Sequence, residues 1–157
     1  MTPPAGVSYG AQGLVNWDKT VEPQPDKTQG ADLPLWCKAM FMPAGKQMSN
    51  LANFMNSIDF WRLRPQPKAL ATQPGDQSPR RFITAASWEP SNLSVVYVPE
   101  DRTFEVSRDA LPSSPSFAWL NPRTGQDNRF VPVAGGRSGQ VRTPDPGDWL
   151  LVIKARK

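Results

Sequence analysis

Histidine is absent from the 157-residue chain. That excludes Ser–His–Asp and Cys–His nucleophilic catalysis, histidine-ligated zinc and an imidazole pH switch. Cysteine occurs once, as Cys37, so the chain can form no internal disulfide and no multi-thiolate metal site. No apolar run reaches the ~20 residues of a membrane-spanning helix. The N-terminus, MTPPAGVSYG, lacks a basic region followed by an apolar run, so it does not read as a secretory signal. A marked charge excess is also lacking: 18 Lys+Arg against 14 Asp+Glu give +4. Residues 1–78 carry seven basic against six acidic side chains, and residues 79–157 carry eleven against eight. A nucleic-acid footprint would gather its basic residues on one stripe among aromatics, and only the tail Lys154-Ala155-Arg156-Lys157 is locally basic. Neither a nucleic acid nor a membrane is expected as a partner. The chain is also too short for a complete (β/α)8 barrel, which needs about 200 residues.

What is present is a globular composition, 38% hydrophobic and 10% aromatic, punctuated by 18 Pro and 11 Gly. Many turns and short elements follow from that. Residues 19–31 are Pro-rich, charged and aperiodic, and read as a loop. Asp32 is placed to cap a short helix over Leu33–Phe41, with Pro34 in its first turn. Pro43 opens a second helix, spanning roughly 44–58. Ala44, Met48, Leu51, Ala52, Met55 and Ile58 share one face at the 3.6-residue period, and Trp61-Arg62-Leu63-Arg64-Pro65 ends the segment.

Beyond Pro79 the period changes to two. Strands are expected at Phe82–Trp88, Leu93–Val98, Thr103–Ser107, Ser116–Leu120, Arg129–Val133, Gly139–Arg142 and Trp149–Ile153. Seven short strands with turns between them predict an antiparallel β-sandwich, making the fold mainly β with a helical segment in front. The expected division is a helical segment 1–65, a Pro-rich connector 66–79 and a sandwich 80–157.

Several motifs carry a chemical reading beside a structural one. Asn121-Pro122-Arg123-Thr124-Gly125 has the residues of a hairpin turn, which explains all of it except Arg123; the other use of Arg123 is as an anion or sugar ligand. Pro144-Asp145-Pro146-Gly147-Asp148-Trp149 reads as a turn that delivers Trp149 to the core, because two Asp at this spacing are too few oxygens for calcium. Tyr9-Gly10-Ala11-Gln12-Gly13 lacks the Lys-Ser/Thr ending of a phosphate loop. The ten Asp and four Glu include no pair that sequence alone brings together for acid–base work. Asp18 beside Trp17 is the most suggestive, since an aromatic wall raises a carboxyl pKa and stacks on a sugar ring. No metal ligand set and no cofactor site is read.

Taken in order, these segments resemble the C-terminal end of an apiosidase-like glycoside hydrolase, whose (β/α)8 barrel is followed by a β-sandwich named a collagen-binding domain. Ala5-Gly6-Val7-Ser8-Tyr9-Gly10 with Trp17 resembles the last barrel strand and its loop. Trp36 and Pro43-Ala44-Gly45-Lys46-Gln47-Met48 resemble the approach to the last barrel helix, and Trp61–Pro65 its exit. Arg81–Trp88, Val96-Tyr97-Val98-Pro99, Ala118–Gly125 and Gly147–Ile153 resemble the sandwich. The resemblance implies a non-catalytic fragment of a carbohydrate-active enzyme. Its catalytic carboxylates are expected upstream of Met1, and carbohydrate would be its partner through the barrel. It implies export to the periplasm or beyond. It also places Tyr9, Trp17 and Asp18 near the barrel mouth as substrate-binding residues. The alternatives are a binding module for carbohydrate or collagen and a domain that buttresses the barrel. A row of exposed aromatics on one sandwich face would mark a binding module. An apolar face left for a barrel to cover would mark a buttress.

Overall fold

The computed structural model describes residues 24–25, 32–33, 43–75, 78, 81–130, 133–135 and 138–155. In chain order the elements are β1 (Gln24–Pro25), β2 (Asp32–Leu33), α1 (Pro43–Asn56), β3 (Arg64–Pro65), β4 (Thr84–Trp88) and β5 (Leu93–Val98). There follow β6 (Thr103–Ser107), β7 (Pro115–Leu120), β8 (Asp127–Phe130), β9 (Val133–Gly135), β10 (Ser138–Arg142) and β11 (Trp149–Ala155). A six-stranded sheet has the order β3-β4-β5-β11-β7-β8, and a three-stranded sheet the order β6-β10-β9. Every pairing in both sheets is antiparallel.

The central strands explain the layers. β5 and β11 are apolar along nearly their whole length, which suits strands covered on both faces rather than one. Val96 and Val98 alternate with Leu93, Val95 and Tyr97, and Trp149, Leu151 and Ile153 alternate with Leu150 and Val152. The first set meets Phe104, Val106 and Val141 of the smaller sheet in one core, where Val96, Val98, Leu151 and Ile153 are all 0% exposed. The second set meets Ile58 together with Leu51, Phe54 and Met55 of α1. The molecule is thus helix on sheet on sheet. The large rings interlock on the sandwich side: Trp119 stands edge-on to Phe104 at 6.3 Å and to Trp149 at 6.2 Å. The fold is mainly β, an antiparallel sandwich preceded by a helix, as the strand periodicity predicts.

Three local expectations are corrected. Asp32 does not cap a helix that starts at Leu33; both residues form β2, which pairs with β1 (Gln24↔Leu33, Pro25↔Asp32). The rest of the Leu33–Phe41 segment lies outside the described residues. The helical segment also stops earlier than Pro65. After Asn56 the Ser57 hydroxyl donates to the Phe54 carbonyl at 2.7 Å, taking up a carbonyl of the last turn. Phe60–Arg62 form a 3-10 turn, and Arg64–Pro65 join the sheet edge beside Ser87 and Ala86. An edge strand is where proline, without an N–H, does least harm. Finally, the expected Arg129–Val133 strand is divided between β8 and β9, which belong to different sheets.

The chain between β3 and β4 links the two sheets. The Gln66 amide donates to the Ala85 carbonyl at 2.9 Å, and the Ala71 amide to that of Glu105 at 2.8 Å. Ala69 is wholly buried. The Gln73 side chain mimics a strand neighbour, donating to the Ile83 carbonyl at 2.8 Å and accepting from its amide at 3.1 Å.

Candidate functional site

Tyr9, Trp17 and Asp18 lie outside the described residues, so their placement has no structural account here. The two turn motifs singled out in the sequence are described, and the fold brings them together. In the β7–β8 hairpin the Gly125 amide donates to the Asn121 carbonyl at 2.7 Å, with Gly125 at φ +76°. Glycine suits that left-handed position.

Arg123 projects from this turn onto the Pro144–Asp148 turn. Its Nη1 donates to the Pro146 carbonyl at 3.1 Å, and its Nη2 to Asp145 Oδ1 at 3.0 Å. Its Nε donates to Asn121 Oδ1 at 3.1 Å and lies 3.8 Å from Asp148 Oδ1. The guanidinium also sits over the Trp149 ring, 5.6 Å from its centroid. The indole Nε1 in turn donates to the Asp145 carbonyl at 3.1 Å. The guanidinium is therefore spent on holding two turns together. A Cβ on Gly147 (φ +123°) would collide with it, so that turn requires glycine.

The helix joins this junction through Asn50, whose Nδ2 donates to the carbonyls of Arg123 at 3.0 Å and Pro122 at 3.3 Å. Asp148 is buried, and its Oδ2 has no hydrogen-bond partner among the described residues. Burial pushes its carboxyl above the ordinary value, and a backbone hydrogen bond, the Arg123 charge and the Tyr97 hydroxyl only partly offset that. Tyr97 stands beside it, and burial followed by the Asp148 charge pushes its phenol up to about 12. Sequence reading missed the parts played by Tyr97 and Asn50. The available signal was a phenol among the valines of β5, because a buried Tyr hydroxyl needs a polar neighbour.

The second feature is an apolar surface on the helical segment. Met48, Phe60 and Trp61 are the exposed large hydrophobics among the described residues, at 43%, 46% and 60%. The Phe60 and Trp61 rings meet edge-on at 5.5 Å. None of the three lies on a strand of either sheet. Among the described residues no group of three or more Cys, Asp or Glu could hold a metal, and no helix is long and apolar enough to cross a membrane.

No family model and no curated protein matches the chain by sequence. Solved structures do match its fold. One described as a glycoside hydrolase superposes with a TM-score of 0.67 at 19% identity, over 86% of this chain and 30% of its own. A glycoside hydrolase family 5 structure from Bacteroides vulgatus ATCC 8482 superposes with a TM-score of 0.69 at 17% identity, over the same shares. The chain thus spans 30% of the length of either protein. At such identities the likeness is one of fold.

Proposed function

We propose that the chain is the non-catalytic C-terminal part of a carbohydrate-active glycoside hydrolase of apiosidase-like type, in which the sandwich buttresses a catalytic barrel. In this reading α1 and the segment around it are the end of the barrel, and residues 80–157 are the buttress. The catalytic carboxylates belong to the barrel strands that the rest of the enzyme supplies, and substrate reaches the chain only through that barrel. Such an enzyme is exported to meet its polysaccharide.

One observation carries the proposal. Among the described residues the exposed large hydrophobics lie on α1 and the 3-10 turn after it, where a further layer would cover them, and not in a row along a strand. Isolated exposed apolar residues are ordinary, but Phe60 and Trp61 adjoin edge-on in one 3-10 turn, a pair that a further layer would cover. The likeness to glycoside hydrolases over 30% of their length supports the same reading. Collagen as the ligand draws no support: a triple helix needs a long groove, and the short strands here are closed by tight turns.

The coding sequence upstream of the Met1 codon tests this, together with the activity of its product. About 250 further residues of alternating strand and helix pattern are expected. The longer product should hydrolyse glycosides, while the 157-residue chain alone should not. Deleting residues 80–157 from the longer product should lower its melting temperature more than its kcat. Turnover of an aryl glycoside by the chain alone, abolished by replacing one of its own Asp or Glu, would overturn the proposal.

A further inference from the structure

At the end of β5 far from Tyr97 and Asp148, the β4–β5 hairpin and the 3-10 turns Pro67–Ala69 and Arg108–Ala110 enclose an open cleft of about 490 Å³. That is within the ~300–1,000 Å³ range of small-molecule sites. Its floor is unusual. Ser94 lies on the sandwich side of β5, in line with the core residues Val96 and Val98, and is 3% exposed. Ser87 is its cross-strand partner on β4, and the two Oγ atoms are 2.8 Å apart. A hydroxyl carries one proton and two lone pairs. The bond between the two uses one proton and one lone pair, so one O–H donor and three acceptor positions remain. These replace apolar side chains at the end of a core that is otherwise hydrocarbon.

The rim is mixed: Trp88, Leu93, Leu111 and Pro112 line it beside polar groups. Lys68, Glu89 and Asp109 line the cleft and are exposed, and they make no ion pair or side-chain hydrogen bond among the described residues. The Gln66 and Asn92 amides join them, with Asn92 held at φ +50° by the turn. This chemistry selects a ligand by elimination. One Lys against two carboxylates lines the cleft, with Arg108 in the same turn as Asp109 and Arg62 over Trp88, so no excess of positive charge favours phosphate or another anion. Two carboxylates are too few for a metal. A wholly hydrocarbon ligand would leave the hydroxyls, amides and charges unpaired, while Trp88, Leu111 and Pro112 suit the apolar face of a ring. What matches is a neutral ring bearing several hydroxyls, each of which both donates and accepts.

We propose that this cleft binds one unit of a neutral sugar. Vicinal hydroxyls would bridge Asp109 to Lys68, and a further hydroxyl would meet the Ser87–Ser94 pair. The proposal goes beyond the buttress reading and does not rest on it.

Backbone amide NMR of the full 157-residue chain tests it, titrated with glucose, galactose, xylose and their methyl glycosides to about 50 mM, well above a millimolar Kd. At least one of them should shift the amides of Asn92, Ser94 and Asp109 saturably. Asp109→Ala and Lys68→Ala should each weaken that response at least tenfold without moving the melting temperature, because both side chains are exposed. Three results would overturn the proposal: no saturable shift with any of these sugars, shifts that survive both substitutions, or saturation by inorganic phosphate and by no sugar. Each would leave the buttress proposal standing, since that rests on the longer product and its activity.

Discussion

The two faces of the six-stranded sheet are built from the same strands and finished differently. On the sandwich face Val96, Val98, Leu151 and Ile153 are wholly shut off from solvent. On the helix face Leu93, Val95, Leu150 and Val152 retain 5–8% exposure, and no residue of α1 is itself buried. The first core is closed by a second sheet, in which β6 and β10 pair along Thr103–Ser107 and Ser138–Arg142. The second is closed by one 14-residue helix, and Met48, two turns before Met55 on the same face, stays exposed. The chain completes one core with its own residues and covers the other thinly. That asymmetry is what a domain meant to sit against a further layer would show.

Two neighbouring leucines give the largest and cleanest way to break the comparison. Leu150 and Leu151 sit side by side in β11 and point to opposite faces. Leu151→Ala should cost toward the top of the ~2–5 kcal/mol range for such truncations, because its surroundings cannot settle into the cavity. Leu150→Ala should cost toward the bottom of that range, because a helix can shift to fill space. Urea unfolding of both variants reads the order, and the reverse order would break the account.

Arg123→Ala comes next. It removes the bonds to Asn121, Asp145 and Pro146 and takes away the positive charge beside the buried Asp148. A loss of about 2 kcal/mol is expected, below the 3–5 of a fully buried pair because the arginine is partly exposed. An unchanged urea midpoint would show that the junction does not hold the turns.

Asp148→Asn acts through pH. The folded-state carboxyl is raised above its unfolded value, so the folded protein binds that proton more tightly. Stability from this group is present at low pH and is lost as pH rises from the ordinary carboxylate value through the raised one. The wild type should therefore lose stability across that window, and Asp148→Asn should flatten the slope. A slope unchanged by the substitution would place its origin elsewhere. The smallest effects belong to Phe60→Ser and Trp61→Ser, each expected within about 0.5 kcal/mol in the chain alone. A loss of several kcal/mol from either would mean that the rings already have a cover.

The strands were legible because period two and turn chemistry both act locally. Leu93–Val98 and Thr103–Ser107 fall where they are read, and Asn92 and Gly125 supply the left-handed turn positions. The sheet assignments were not legible. Nothing within Arg129–Val133 says that the chain changes sheets there, since partner choice is decided by residues far along the sequence. Arg64–Pro65 failed as helix exit for the same reason: Ser87 and Ala86 recruit it to the sheet. Arg123 was read rightly as part of a turn, but its reach to Asp145 and Asp148 spans 22 and 25 positions, a distance no local pattern reports. The cleft was illegible because Ser87 and Ser94 look like ordinary strand polar residues until the register sets them opposite one another.

Native-state hydrogen exchange tests the central asymmetry most directly. It should be measured amide by amide on the 157-residue chain at increasing, sub-denaturing urea. Amides of β5 and β11 should exchange only through global unfolding, with a steep urea dependence. Amides of α1 should exchange through a smaller, separate opening at markedly lower free energy. Equal protection of α1 and β11, merging on one urea dependence, would contradict the account, because the helix would then need no further layer to complete it.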